Sequence, residues 1–171
     1  MSKHDTLCRL GFVWEGEIIA PNGQSLYKGP PTKNIIPQVG INHLVGLIRG
    51  TGTPISAWYV GVGEGDYVPT NGITSAALQD TVEESTTYSE ATRPAWDETY
   101  DGVSLITNLS SRAEFTFTSA KRLYTGFLVS NATKGTAAGT LFSIARFQTP
   151  YDVPAGSTFR LGVSITLLPA V

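Results

Sequence analysis

Short alternating runs dominate the pattern of apolar and polar positions. Arg112-Ala113-Glu114-Phe115-Thr116-Phe117-Thr118 alternates strictly, the period-two signature of a strand with one buried face. Near the C-terminus Phe159, Leu161, Val163, Ile165 and Leu167 fall on one face, with Arg160, Gly162, Ser164 and Thr166 on the other. Residues 8–20 read as a strand with Leu10, Phe12 and Trp14 on one side, and residues 57–62, 103–109, 123–129 and 141–147 read as further strands. Pro21-Asn22-Gly23 predicts a tight hairpin turn, because Asn and Gly tolerate positive φ, and residues 25–28 form the return strand. Asp101-Gly102 and Val153-Pro154-Ala155-Gly156 predict further turns, and residues 131–139 a small polar surface loop.

One stretch has a different period. After Pro37, Ile41, Leu44, Val45 and Ile48 recur at i, i+3, i+4 and i+7, an apolar stripe of helical spacing that Gly50-Thr51-Gly52 ends. A helix is expected over residues 38–49, with at most one short turn of helix at 75–81. Seven or eight strands spaced by turn signals, one helix, no internal repeat and no linker predict a mainly β chain. The expected architecture is an antiparallel β-sandwich, jelly-roll-like, with an N-terminal arm over 1–10 and a single domain over 11–171.

Composition changes this picture in one respect. Charged residues are 15% of the 171 positions, against roughly 25% in ordinary soluble domains, and the mean hydropathy is near zero. A chain with so few charges favours constant association with a partner. The charge is also uneven. Residues 64–101 carry nine acids and one base, Arg93, between flanks of mild positive balance, for a net charge of −2. The acidic block either pairs within the fold or docks on a basic surface, with or without a cation. No basic patch suited to phosphates is present, so nucleic acid is not an expected partner. No apolar run approaches the ~18–20 residues of a spanning helix, and no apolar leader follows Met1, so neither membrane nor secretion is expected. The single cysteine, Cys8, allows no internal disulfide.

The chemistry-bearing motifs are sparse. There is no Gly-x-Ser-x-Gly elbow, no His-Glu-x-x-His and no P-loop. The alternating glycines at 61, 63 and 65 follow a strand without opening a helix, so they read as a strand exit and not as a phosphate cradle. His43 lies in the predicted helix with no second ligand at metal spacing and reads as structural. Glu83-Glu84 and Asp97-Glu98 are adjacent pairs, which do not flank a groove as a glycosidase requires. Asp66, Asp80, Glu83, Glu84, Asp97, Glu98 and Asp101 are loop oxygens of the kind calcium takes, although no spacing matches a calcium loop. No cofactor and no enzymatic activity are expected. Trp14 and Trp58 sit on strand patterns and read as core. Trp96, beside Pro94 and Arg93, either packs in the core or anchors an interface.

The tract Thr87-Tyr88-Ser89-Glu90-Ala91-Thr92-Arg93-Pro94-Ala95-Trp96 resembles a stretch of small virion proteins of tailed bacteriophages. In these a Trp-Tyr-Val-Gly strand, here Trp58 to Gly61, precedes it. An alternating strand (Ala113 to Phe117), a Gly-Phe-Leu strand (Gly126 to Leu128), a Gly-Thr-Leu-Phe-Ser strand (Gly139 to Ser143) and a Val-Pro-Ala-Gly turn (Val153 to Gly156) follow it. The order matches over roughly residues 35–168. Asp80-Thr81-Val82-Glu83-Glu84 departs from the pattern, standing where a Gly-Trp pair is more usual.

The resemblance implies a head decoration, or cement, protein on the outer capsid surface. Its expected partners are the major capsid protein and copies of itself, as dimer or trimer. The expected contact residues are Tyr88, Arg93, Trp96, Asp97 and Tyr100 in the acidic segment, with Lys3 and His4 in the arm. The rival expectation is a tail or fibre component that binds a host receptor or glycan through Trp96, Asp97 and Tyr100.

Overall fold

A computed structural model describes residues 11–167. The arm 1–10, with Lys3 and His4, and residues 168–171 lie outside the described residues. The chain is mainly β, with ten strands and two helices among the described residues. The strands are β1 (Phe12–Ile19), β2 (Ser25–Lys28), β3 (Thr32–Lys33), β4 (Tyr59–Gly63), β5 (Thr99–Tyr100), β6 (Leu105–Thr107), β7 (Ala113–Thr116), β8 (Lys121–Val129), β9 (Leu141–Val153) and β10 (Thr158–Thr166). The helices are α1 (Gln38–Ile48) and α2 (Ala77–Asp80). No helix among them is long and apolar enough to cross a membrane.

All pairings are antiparallel. One sheet runs β2-β1-β10-β6-β5, with β3 also on β1 and β7 also on β10, and the other runs β4-β8-β9. The first and last strands of the described chain pair along their whole length, from Phe12 opposite Ile165 to Ile19 opposite Thr158. Their alternation does what the sequence requires. Phe12, Trp14, Ile18, Phe159, Leu161, Val163 and Ile165 all turn into the core. Phe115 and Phe117 enter the same core from the β7 segment.

The layers meet where Gly126 of β8 lets the Trp14 ring lie flat on the backbone. A Cβ there would stand 3.0 Å from Trp14 Cε3 and 3.1 Å from Leu161 Cδ2. The β10 edge is shared by β6 and β7 because the chain kinks between them at Asn108. Its buried side chain accepts from Val163 N–H at 2.6 Å and donates to the Leu161 carbonyl at 3.4 Å.

The predicted turn at Asn22-Gly23 is present, with Gly23 at φ +82° and Gly23 N–H donating to the Ala20 carbonyl. Strand β9 is longer than its alternation predicted, continuing through Pro150 to Val153. Its register against β8 shifts between Leu123 and Thr125, so Pro150 falls at a break in the ladder, where a missing N–H costs little.

The helix requires a correction. Of its stripe only Leu44 packs against the core. Gly40 is the only buried residue of α1, while Ile41, Val45 and Ile48 are 36%, 44% and 86% exposed. The reason is steric. The helix lies so close on β9 that a Cβ at Gly40 would stand 2.7 Å from the Phe142 carbonyl oxygen. The face that carries Gly40 and Leu44 therefore packs inward, and Ile41, Val45 and Ile48 turn out. The stop is as expected: Gly50 at φ +69° lets its N–H reach the Leu47 carbonyl and Thr51 N–H the Gly46 carbonyl.

Candidate interaction surface

The tract bends over residues 89–92 and is extended from Arg93 to Trp96, as Pro94 demands. It lies along the free edge of β4: Val60 N–H donates to the Pro94 carbonyl and Trp96 N–H to the Trp58 carbonyl, both at 2.8 Å. Tyr88 bridges Phe117 and Ala95 bridges Tyr59. The tract is thus a rim of the sandwich, and its side chains divide between inside and outside.

Arg93 goes inside. It is 0% exposed and holds Glu84 with two bonds of 2.7 Å, Nε to Oε1 and Nη2 to Oε2. Its Nη1 donates to the Asn131 carbonyl at 2.9 Å and its Nη2 also to the Thr136 carbonyl at 3.1 Å. Glu84 Oε2 accepts Gly135 N–H at 2.9 Å as well. The guanidinium sits 5.6 Å from the centroid of the Phe127 ring. Four of its five N–H donors are occupied internally and the side chain is fully buried, so the expectation of Arg93 as a contact residue is corrected. It fastens the 131–140 loop to the body of the fold.

Tyr88 is corrected for the same reason. It is 3% exposed, edge-on to Phe115 at 5.0 Å and to Phe117 at 6.0 Å. Lys134 caps its ring at 4.1 Å and donates to the carbonyls of Tyr88 and Glu90. Burial first, then the Glu84 charge, pushes the Tyr88 phenol well above its ordinary value.

Adjacent residues diverge at Glu83 and Glu84. Glu83 adopts φ +51°, rare for a residue with a side chain. That reversal leaves Glu83 outside while the Glu84 side chain is 1% exposed. The acidic block is partly neutralised by the basic flanks, with Glu64 on Lys121 at 2.9 Å and Asp66 on Arg146 at 2.7 Å. Among the described residues no three His, Cys, Asp or Glu side chains meet as metal ligands.

The other sequence candidates face outward or line a groove. Asp97 is exposed and its Oδ2 accepts the Ser111 hydroxyl at 2.9 Å. Tyr100 is 58% exposed on the edge strand β5. Trp96 is half-buried, edge-on to Phe12 at 6.1 Å, with Nε1 donating to the Val163 carbonyl at 3.2 Å. It forms one wall of an apolar groove of about 350 Å³ at one end of the sandwich.

Leu44, Leu47, Trp58, Phe142 and Leu167 also line that groove, with Glu98 beside them. Trp58 stacks on Phe142 at 4.7 Å with an interplanar angle of 25°, and His43 stands edge-on to Trp58 at 5.6 Å. His43 is therefore a wall of the groove. Beyond the groove the outer face of α1 carries Ile41, Val45 and Ile48, and the eleven residues of the helix include no charged side chain.

Sequence reasoning missed this surface because its residues come from seven separated segments of the chain. The absence of charge from Gln38 to Ile48 was the one local signal, and helical periodicity alone assigned that stripe to the core. No family model, no curated protein and no solved structure matches this chain.

Proposed function

We propose that this protein is a structural subunit of a virion shell, a decoration or cement protein that binds the outer surface of the assembled head and bridges capsid subunits. The carrying observation is the outward face of α1: an uncharged helix with Ile48 86% exposed beside an aromatic groove. Apolar surface of that kind marks a face that a macromolecule covers. The sandwich fold and the resemblance of the Tyr88–Trp96 tract support the viral setting. The buried Arg93–Glu84 pair is spent on holding a loop, which suits a scaffold.

Such a protein binds the assembled shell and not its dissociated parts, so it stabilises the shell by mass action. Asp80, Glu83 and Asp97 are exposed on the acidic segment and offer a charged edge to a basic shell. Copy number per purified particle tests this reading. A number comparable with the major capsid protein is expected, and one lower by an order of magnitude would remove it. Deleting residues 1–6 is expected to weaken binding to shells.

The receptor-binding alternative has less support. Trp96 Nε1 and the Asp97 carboxylate already have internal partners, and Tyr100 is the most exposed aromatic of the three. Glycan-array binding that is lost on Tyr100→Ala would restore it.

A further inference from the structure

We infer that two copies of this chain associate about a two-fold axis through α1, with Ile48 of each copy seated in the aromatic groove of the other. The inference rests on the reading of the α1 face as a surface built to be covered; a second copy covers it, and the exposed acidic edge at Asp80, Glu83 and Asp97 is left to meet the shell.

A two-fold contact uses the same patch on both subunits, so that patch must hold both members of every complementary pair. This one does. Ile48 projects into solvent, and Leu44 and Leu47 on the adjoining face of the same helix line the groove, so a protruding side chain and a hole that fits an aliphatic group border one another. Ile41, Val45 and Ile48 form a continuous helical row, the ridge that packs into the groove of a facing helix.

Charge points the same way. With no charged residue in α1, two helices meet without like-charge repulsion. Arg49 follows the helix directly and Glu98 borders the groove, and among the described residues neither makes an ion pair within the chain. A two-fold axis through this face brings Arg49 of one copy toward Glu98 of the other, twice. A partner of one charge sign satisfies only half of that pattern.

Sedimentation equilibrium of the full chain tests the inference. The wild type is expected to be a dimer. Ile48→Asp is expected to halve the measured mass while the chain stays folded, because an 86% exposed side chain contributes little to the fold of the single copy; its melt should lose only the concentration-dependent part that the dimer adds. Arg49→Glu and Glu98→Arg are each expected to weaken the dimer, and the double charge swap to restore it. A monomeric wild type, an assembly of odd order, or a dimer indifferent to Ile48→Asp overturns the inference. Failure of the double swap to restore the dimer overturns the charge pairing. Particle copy number separates the two readings: a monomer abundant on virions removes self-association alone, and a dimer absent from virions removes the shell role alone.

Discussion

Arg93 and Glu84, nine residues apart, meet as two planar groups joined by paired bonds of 2.7 Å, and neither side chain is more than 1% exposed. Removing one member of such a pair leaves a buried charge without its partner, which costs about 3–5 kcal/mol. Arg93→Met is therefore expected to lower unfolding free energy by that amount in denaturant titration. Hydrogen exchange should rise across residues 131–140, whose carbonyls and Gly135 N–H depend on the pair. Replacing both members, Arg93→Met with Glu84→Met, should recover a good part of the loss. No recovery would show that the loop contacts, not the stranded charge, dominate.

Gly61 and Phe127 are partners across β4 and β8, and the Phe127 ring lies over Gly61 where a Cβ would stand. Gly61→Ala is expected to destabilise by about 1–3 kcal/mol through overpacking. Combined with Phe127→Leu, the loss should be smaller than the sum of the two single losses. Additive melting temperatures would contradict this contact.

Tyr151 is buried with its hydroxyl donating to the Gly16 carbonyl at 3.3 Å, and burial pushes its phenol up to about 12. A raised pKa means that the neutral ring is favoured in the fold. The stabilisation is present in full below the ordinary tyrosine value and is lost as pH rises toward 12. Melting temperature should therefore fall through that alkaline window. Tyr151→Phe should melt lower at neutral pH, through the lost hydrogen bond, and fall less steeply in the window.

Asp101 sits on the surface, where its Oδ1 accepts the N–H groups of Val103, Ser104 and Leu105. These bonds hold its carboxyl below the usual aspartate value. The sign is opposite to that of Tyr151. The stabilisation exists above the unfolded aspartate value and disappears as pH falls through the folded one. Asp101→Ala should be less stable than wild type at neutral pH, with the difference vanishing in acid. A difference independent of pH would place its origin elsewhere in the Asp101–Leu105 turn.

The fold was legible because its signals are local. Period-two alternation at Phe115–Phe117 and Phe159–Ile165 fixes which face of a strand is buried, whatever sheet the strand joins. Gly23 and Gly50 mark positions where positive φ is needed, and both have it. Pro94 kept Arg93 to Trp96 extended. These follow from the backbone preferences of single residues and their neighbours.

What faces what was decided only in three dimensions. The Ile41–Ile48 stripe has the period of a buried helix face, yet Gly40 packs closest on β9, and of the stripe only Leu44 reaches the core while Ile41, Val45 and Ile48 face solvent. Arg93 looked like an exposed cation among acids until Glu84, Asn131 and Thr136 closed around it. The groove joins Leu47, Trp58, Trp96 and Phe142 from distant parts of the chain. Period and propensity constrain a segment against its own backbone. How closely two segments approach depends on side-chain volume and hydrogen-bond partners that the chain supplies far away, and those settle only when the sheets pack.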